Sequence, residues 1–311
     1  MGINSYLVFI HTTGNRSAEM KMLSFKFVKE AYTPFTTLNA SFVVTDRTDP
    51  GTVTEVMLYV NGRQIHYGFI DELSVTEKNG IKTASLVSRS FSCMLTQNQM
   101  EPGLYTGMSL NRLMDEILSI PHVTHEDSDT NGYIYINYGS TLWEAIIAFT
   151  YKLSGRYPYI RGTNCVMMNE VSQPEVFIIG SDRLLTSGSG ISEKQLLSDL
   201  HMEDINGDFG TFDLNDPLVT ARSIVRHRWI ELDKQFLYAP QQALEFRDRA
   251  ASKGWRSSFC TYCGYSGEDI SDIVSFGDVQ PARITGVTVT GGRNGIFTRL
   301  SVYNDRFYSY S

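Results

Sequence analysis

The sequence predicts an α+β fold that is mainly β, with two antiparallel β-barrel domains produced by internal duplication and an α+β insert between them. The first observation is that the stretch VTEKNGIKT at residues 75–83 returns as VTGGRNGIFT at residues 289–298. The second is another Asn-Gly hairpin signal near the N-terminus, and the third is a change to helical spacing in the middle of the chain. These patterns place β-structure at both ends and helices between them.

The repeat extends upstream of its two turns. Residues 70–76 (IDELSVT) match residues 284–290 (ITGVTVT), and apolar and polar residues alternate on both sides of each turn, as in half-buried antiparallel strands. Asn79-Gly80 and Asn294-Gly295 both suit a tight hairpin, because Asn and Gly tolerate positive φ. The alignment requires one extra loop residue in the second copy. It favours duplication of a whole domain, although such hairpins also recur by chance in β-rich proteins.

Residues 1–90 are predicted to form the first β-barrel domain. The apolar run at 56–60 leads into Asn61-Gly62, and residues 63–68 follow as the returning strand. With the strands on both sides of Asn79-Gly80, this second hairpin supplies enough antiparallel structure for a barrel or sandwich.

Residues 91–185 are predicted to form the α+β insert. Apolar residues recur at helical spacing from Ser109 to Ser119, which predicts one helix. A second helix begins at a capping box of Thr141 and Glu144, and Gly155 suits its C-terminal cap. Short apolar runs predict strands at 133–136, 166–168 and 176–179.

Residues 186–311 are predicted to form the second β-barrel domain, with a helix near 240–253. The Ser/Gly-rich run at 186–190 has few side chains to pack, so it is interpreted as a loop or domain boundary. Pro240 suits the first turn of the helix and Gly254 its C-terminal cap. Strands are predicted at 224–232, 273–276 and 284–303.

Composition argues against several classes of protein. The chain is 42% hydrophobic and 20% charged, as expected for a globular protein with a sizeable core, and its net charge of −7 argues against a general nucleic-acid binder. No apolar run is long enough to span a bilayer and no export signal is recognisable, so we expect synthesis in the cytoplasm without a membrane anchor. The four cysteines are too few and too scattered for a disulfide framework.

Motifs that could carry chemistry are weak. Cys260 and Cys263 form a CxxC pair, but no βαβ pattern surrounds them and zinc would need two further ligands. The segment 122–129 (HVTHEDSD) collects nitrogen and oxygen ligands, but Pro121 and the polar run indicate a solvated loop. The prediction is therefore that the chain has no catalytic, cofactor-binding or metal-binding residues and no cofactor.

Basic and aromatic residues concentrate in the segment 222–256. It holds eight Lys or Arg and four Asp or Glu, interleaved with tryptophan, phenylalanine and tyrosine. On an acidic protein such residues more often form the aromatic core and charged rim of a protein interface than a site for single-stranded nucleic acid. Trp229 and Trp255 are therefore predicted interface residues.

The middle of the chain carries a recognisable order of parts. Residues 88–105 read SRSFSCMLTQNQMEPGLY, a strand end followed by a tyrosine-containing turn, and a helix is predicted from Met108 to Leu118. After a polar loop, STLWE at residues 140–144 places a tryptophan in the second helix. Residues 53–152 thereby resemble the baseplate-hub family of contractile-tailed phages, which includes the late control protein D proteins and relatives in prophage-derived bacteriocins. The rest of the chain is similar by arrangement only.

The resemblance implies a non-enzymatic structural hub that is made in the bacterial cytoplasm and assembled into the baseplate of a phage or tail-like particle. Its two barrels would be tube-like, and a homotrimer would present six of them in a ring. One side would match a hexameric tail tube protein and the other a trimeric spike, with the tape measure and other baseplate proteins as further partners. Because the chain stops at Ser311, the spike is expected to be a separate polypeptide. The turns at Asn79, Gly80, Asn294 and Gly295 are the expected ring contacts.

Two alternatives from other classes stay open. One is a β-rich hydrolase whose acidic candidates are Glu268, Asp269 and Asp127. The other is a carbohydrate-binding or receptor-binding tail protein, which would explain the many tyrosines but not the duplicated hairpin.

Overall fold

The computed structural model describes residues 5–44, 50–117 and 119–308. Within them the helices are α1 (Met94–Gln97), α2 (Leu142–Ser154), α3 (Pro217–Thr220) and α4 (Pro240–Ala251), with a π-helical segment at Arg112–Ile117. The strands are β1 (Ser5–His11), β2 (Arg16–Glu19), β3 (Met22–Glu30), β4 (Thr37–Val43), β5 (Val53–Val60), β6 (Arg63–Lys78), β7 (Ile81–Ser90), β8 (Gly103–Met108), β9 (Thr124–His125), β10 (Gly132–Ile136), β11 (Tyr159–Arg161), β12 (Cys165–Met167), β13 (Val176–Ile179), β14 (Leu184–Ile191), β15 (Asp199–Met202), β16 (Phe212–Asn215), β17 (His227–Ile230), β18 (Arg256–Cys263), β19 (Ile273–Phe276), β20 (Val279–Arg283), β21 (Gly286–Gly292) and β22 (Gly295–Tyr303). No helix of the described residues is long and apolar enough to cross a membrane.

One large antiparallel sheet contains strands from both the N-terminal and the C-terminal part of the described chain. Its order is β14-β18-β22-β21-β3-β4-β7-β6-β5-β1-β2, so strands from both predicted barrel domains are hydrogen-bonded into a single sheet. The predicted mainly-β α+β fold is confirmed. The boundaries at residues 90 and 185 stay a prediction, because the two β-regions share one sheet.

Alternating residues explain which face of this sheet is buried. In β3, Phe25 and Phe27 point into the core, and Leu38 in β4 and Leu86 in β7 lie on the same face. Burial of such side chains contributes roughly 1.5–3 kcal/mol each relative to full exposure. The core they form continues into the C-terminal strands, where Val289 and other apolar residues join the same hydrophobic cluster.

Strand β6 changes partner halfway along its length. Residues 63–69 pair with β5, whereas residues 68–78 pair with β7. Gly68 lies at the crossover, where a Cβ would collide with the backbone carbonyl of Arg89, so only glycine permits this approach. As a result, the edge of residues 70–78 that faces away from β7 has no strand partner among the described residues.

The insert follows the sequence prediction closely. Thr141 and Glu144 form the capping box of α2, and Gly155 ends the helix in the left-handed conformation with φ +68°. The helix packs its apolar face into a second core with β8, β10 and β12. The first predicted helix is a short helical turn followed by the π-helical segment Arg112–Ile117, and its last predicted residue, Leu118, lies outside the described residues.

Two small sheets correct the prediction for the C-terminal region. The predicted strand at 224–232 is present as β17, but it belongs to a three-stranded sheet with β15 and β16, against which α4 packs, and not to the large sheet. Likewise β19 pairs with β13 from the insert and with β20. Local sequence patterns predicted these strands correctly, but they do not specify which sheet a strand joins.

The run at 186–190 is a strand and not the loop that its composition predicted. It forms most of β14, which pairs antiparallel with β18 at the end of the large sheet. Ser and Gly have little intrinsic preference for strands. The hydrogen-bonding edge of β18 therefore determines this conformation.

Buried His66 makes stability depend on pH. Its ring hydrogen-bonds the hydroxyls of Thr36 and Ser88 at 2.8 and 2.9 Å, and burial lowers its pKa to about 3 from 6.5. Below pH 6.5 His66 is protonated in the unfolded chain but stays neutral in the folded chain. The free energy of unfolding therefore falls as the pH drops from about 6.5 towards 3. Between pH 7 and pH 4 we expect a loss of about 3 kcal/mol from this residue.

Denaturant unfolding of the wild type and His66→Gln at pH 7 and pH 4 measures this contribution. The difference in free energy of unfolding between the wild type and His66→Gln should be about 3 kcal/mol less favourable to the wild type at pH 4 than at pH 7, because glutamine does not titrate. A gap that stays constant would contradict the assignment.

Candidate assembly interface

A strand seam joins the two halves of the chain. Residues 286–291 of β21 pair antiparallel with residues 30–25 of β3, so that Val287 lies opposite Lys29 and Val289 opposite Phe27. Val289 is fully buried and Phe27 is 2% exposed. The seam therefore combines backbone hydrogen bonds with the packing of apolar side chains.

A polar latch lies beside this seam. Lys29 is 3% exposed; its ammonium donates to the carbonyl of Gly162 at 2.7 Å and pairs with the carboxylate of Asp269. Arg161 donates to the carbonyl of Ile270 at 2.7 Å and to the buried Asp272 at 2.8 Å. The latch thus connects the first β-region, the insert and the second β-region.

Burial governs the charge of Lys29. Loss of solvent lowers the pKa of its ammonium, and the neighbouring Asp269 acts in the opposite direction. Because a buried ammonium is stable only with its counterion, the carboxylate of Asp269 must remain in place for this packing to persist.

The two copies of the hairpin have the same pairing register. In the first, Leu73 pairs with Leu86, and in the second Val287 pairs with Leu300, which is a constant offset of 214 (287 − 73 and 300 − 86). The buried residues show the same offset: residues 84, 86 and 88 are buried in the first hairpin, and residues 298, 300 and 302 are buried in the second. The duplication therefore includes strand register as well as sequence.

The offset corrects the predicted second turn. Asn79 and Gly80, with φ of +52° and +76°, form the first two-residue turn as expected. In the second hairpin Gly292 pairs with Gly295, so the turn is Arg293-Asn294 and no extra loop residue is needed. The identical residues that follow the two turns, Gly-Ile-x-Thr at 80–83 and 295–298, are therefore not structurally equivalent, because they are shifted by one residue. Such a shift places a side chain on the opposite face of the strand.

Two edges of the duplicated strands lack partners within the described residues. One is the outer edge of β14, which ends the large sheet, and the other is the edge of residues 70–78 in β6. Their counterparts, β3 and β21, pair with each other in the seam. Val75, the counterpart of fully buried Val289, is 40% exposed, and Ile191 at the end of β14 is 62% exposed.

The two predicted interface tryptophans lie in different surroundings. Trp229 is 61% exposed on β17, where its ring stacks on His201 at 4.1 Å and meets Phe209 edge-on at 4.9 Å. Trp255 is half-buried beyond α4, with the Arg256 guanidinium 4.1 Å from its ring. Of the two tryptophans, Trp229 is the more exposed. Whether either residue lies in an interface stays a prediction.

The residues considered for chemistry serve the fold. Glu268 is buried and accepts hydrogen bonds from the Tyr262 hydroxyl and from the backbone N–H of Ser266 at 3.0 Å, while Asp269 belongs to the latch. Asp127 accepts a hydrogen bond from the Asn111 side chain at 2.7 Å. The carboxylates proposed for hydrolysis are thus engaged in internal contacts.

The thiols and histidines are likewise separated. Cys260 is buried and Cys263 exposed on the same strand, and burial raises the pKa of the Cys260 thiol to about 11. His122 packs against Phe91 with 4.6 Å between ring centroids, whereas His125 pairs with Asp115 at 3.0 Å. His122 and His125 therefore have different partners.

Comparison with solved structures finds this fold in tail proteins. A 43 kDa tail protein of prophage MuSo2 from Shewanella oneidensis aligns with a TM-score of 0.72 at 13% identity, covering 96% of this chain and 98% of that one. A tail protein from Neisseria meningitidis MC58 aligns with a TM-score of 0.69 at 15% identity, covering 97% and 98%. The chain has the fold of these tail proteins. No protein-family model and no curated protein sequence matches it.

A third match links the fold to secretion systems. The E. coli c3393 protein is described as a component of the type VI secretion system with structural similarity to the T4 bacteriophage tail proteins gp27 and gp5. It aligns with a TM-score of 0.53 at 11% identity, covering 93% of this chain and 75% of that one. The predicted resemblance to tail hub proteins is therefore confirmed at the level of the fold.

Sequence reasoning missed the strand edges. The Ser/Gly run at 186–190 is interpreted from sequence as a loop or domain boundary, and the hairpin tips are the expected contacts. Within the described residues, the structure instead leaves the edges of β14 and of residues 70–78 in β6 without strand partners. No local signal in a Ser/Gly run predicts an edge strand. The equivalence of β14 with β3 follows only from the strands that connect each of them to its hairpin, β18 and β22 for β14 and β4 and β7 for β3.

Removing the carboxylate of the latch should destabilise the fold strongly. Asp269→Ala leaves the Lys29 ammonium buried without its counterion, which should lower the free energy of unfolding by about 3–5 kcal/mol. The double variant Lys29→Met with Asp269→Ala should recover part of this loss, since no buried charge remains. Denaturant unfolding measures both values.

An exposed ion pair provides the matched control for this measurement. Glu193→Gln removes the partner of Arg222, and both side chains are about one-third exposed, so the expected loss is below about 1 kcal/mol. A similar loss for Asp269→Ala and Glu193→Gln would show that the latch contributes no more than a surface pair.

Proposed function

We propose that this chain is the structural baseplate hub of a contractile injection particle. It would act without catalysis, as a homotrimer that adapts a hexameric tail tube to a trimeric spike. The particle would be a phage or a tail-like bacteriocin, and the spike, the tape measure and other baseplate proteins would be its further partners. The fold shared with two tail proteins over almost the whole chain supports this role.

The observation that carries the proposal is the internal seam between duplicated strands. Strands β3-β4-β7-β6 and β14-β18-β22-β21 occur in the same order with matched register, which makes each chain two quasi-equivalent units side by side. Three such chains supply six units. A threefold assembly can thereby present approximate sixfold symmetry to a tube protein and true threefold symmetry to a spike.

The free edges supply the means of closing the ring. Each chain offers β14 at one end and the unpaired part of β6 at the other, so copies would join head to tail. A heterologous contact of this kind closes into a ring when its rotation is one-third of a turn. Closure would also cover exposed strand edges that otherwise favour aggregation.

Light scattering tests the proposal directly. A trimer has a mass of 3 × 35.1 = 105.3 kDa, and we expect it for the chain alone or in the presence of a tube protein from the same particle. Val75→Lys and Ile191→Lys place a charge on edges that the ring would bury, so each should weaken trimer formation at least tenfold. Circular dichroism should remain that of the folded chain, because both residues are exposed in the monomer.

Ile178→Lys is the matched control. Ile178 is also an exposed apolar strand residue, but it lies on β13 in a separate small sheet. It should leave the trimer unchanged. Monomers in every wild-type sample would refute the hub, and normal trimers from both edge variants would show that the ring does not use these edges.

A further inference from the structure

We propose that neighbouring copies join by antiparallel pairing of residues 72–77 in β6 of one copy with residues 192–187 of the next, in the register of the internal seam. The inference rests on the proposed ring and adds which residues meet. Its basis is the internal seam, in which β21 pairs with β3. Strands β6 and β14 are the equivalents of β21 and β3, and their free edges could pair in the same way.

The register follows from the strand pairs that connect each edge to its hairpin. Phe25 pairs with Ala40, and Ala40 pairs with Leu86. On the other side Ser187 pairs with Cys260, and Cys260 pairs with Leu300. Leu86 and Leu300 are equivalent residues of the two hairpins, so Ser187 of β14 occupies the place of Phe25 of β3, an offset of 162 (187 − 25).

Applying both offsets to the seam gives the contact between copies. The pair Val287 with Lys29 becomes Leu73 with Ile191. In the same way the next two pairs of the seam become Ser74 with Gly190 and Val75 with Ser189. The full set of predicted pairs is Glu72–Ser192, Leu73–Ile191, Ser74–Gly190, Val75–Ser189, Thr76–Gly188 and Glu77–Ser187.

This register places the apolar side chains of both edges on the core face of the sheet. Leu73 and Val75 share the face on which Leu86 is buried, and Ile191 shares the face of buried Cys260. On the core face the pairing sets half-buried Leu73 against exposed Ile191 and covers exposed Val75, with Glu77 opposite Ser187 at the end of the contact. The opposite face would hold Ser74, Thr76 and the glycines of β14, so no apolar group is left there. A shift by one residue would reverse this arrangement.

Side-chain size distinguishes the two seams. Inside the chain the ring of Phe25 occupies the space in which a Cβ on Gly291 would lie. Between copies the equivalent pair is Glu77 with Ser187, with the larger residue on the hairpin strand. An edge of β3 placed against β6 would bring Phe25 onto Glu77. Strand β6 is thus matched in size to β14 and not to β3, which disfavours pairing of β6 with β3.

Disulfide trapping tests the register. Directly opposite residues of antiparallel strands have Cα atoms about 4.5–5.5 Å apart, which suits a disulfide. We would combine Ser74→Cys and Gly190→Cys in a Cys263→Ser background, since Cys263 is the exposed thiol. Gly190 accepts a side chain, because a Cβ there meets only the Ser257 hydroxyl at 3.5 Å. Ser74→Cys with Thr186→Cys is the matched control, four residues and more than about 12 Å out of register.

Light scattering on the same samples separates the two hypotheses. We expect trimers, with covalent links between copies at least tenfold more abundant for the in-register pair than for the control on non-reducing gels. Trimers with no link, or with equal linking in both variants, would overturn the register and leave the hub intact. Monomers alone and with the tube protein would overturn the hub itself.

Discussion

The backbone pairing of β21 with β3 is the contact on which the rest of the structure depends. It joins residues more than 250 positions apart, which makes one continuous sheet from two β-regions and places their apolar faces in one core. Loop closure over such a separation costs conformational entropy, so the contact must bring extensive burial with it. Val289 and Phe27 supply apolar burial at the seam, and the Lys29 latch connects the insert to the same place.

The seam also explains why duplication is useful to this fold. A β-unit with two open edges exposes unpaired backbone donors and acceptors, which favour pairing with another strand. Duplication lets one pair of edges be satisfied within the chain, and in the proposed ring the equivalent pair would be satisfied by a neighbouring copy. The proposed ring follows from this arrangement, since the contact within each chain and the contact between chains would be variants of one geometry. Their different side-chain sizes would keep the two contacts distinct.

The insert and the small sheets are positioned by polar contacts as much as by apolar ones. Arg161 and Gly162 of the insert reach the loop around Asp269 and Asp272, and β13 extends the sheet formed by β19 and β20. These contacts use buried charges that are stable only when paired, so they specify one arrangement of the parts. Asp269 is engaged in these contacts and Glu268 accepts a hydrogen bond from the Tyr262 hydroxyl, which supports a structural role for both carboxylates.

The sequence by itself determined the features that depend on neighbouring residues. Alternation identified the hairpin strands, Asn79-Gly80 identified its turn, and the pair Thr141 with Glu144 identified the start of α2, because each signal acts over a few residues. The tertiary structure alone decided that the Ser/Gly run becomes β14, that β17 lies outside the large sheet and that the second turn is Arg293-Asn294. Those outcomes depend on which edge a strand meets and in which register, and these are properties of distant partners. The candidate interface belongs to this second group, since β6 and β14 become equivalent to β21 and β3 only through the strands folded between them.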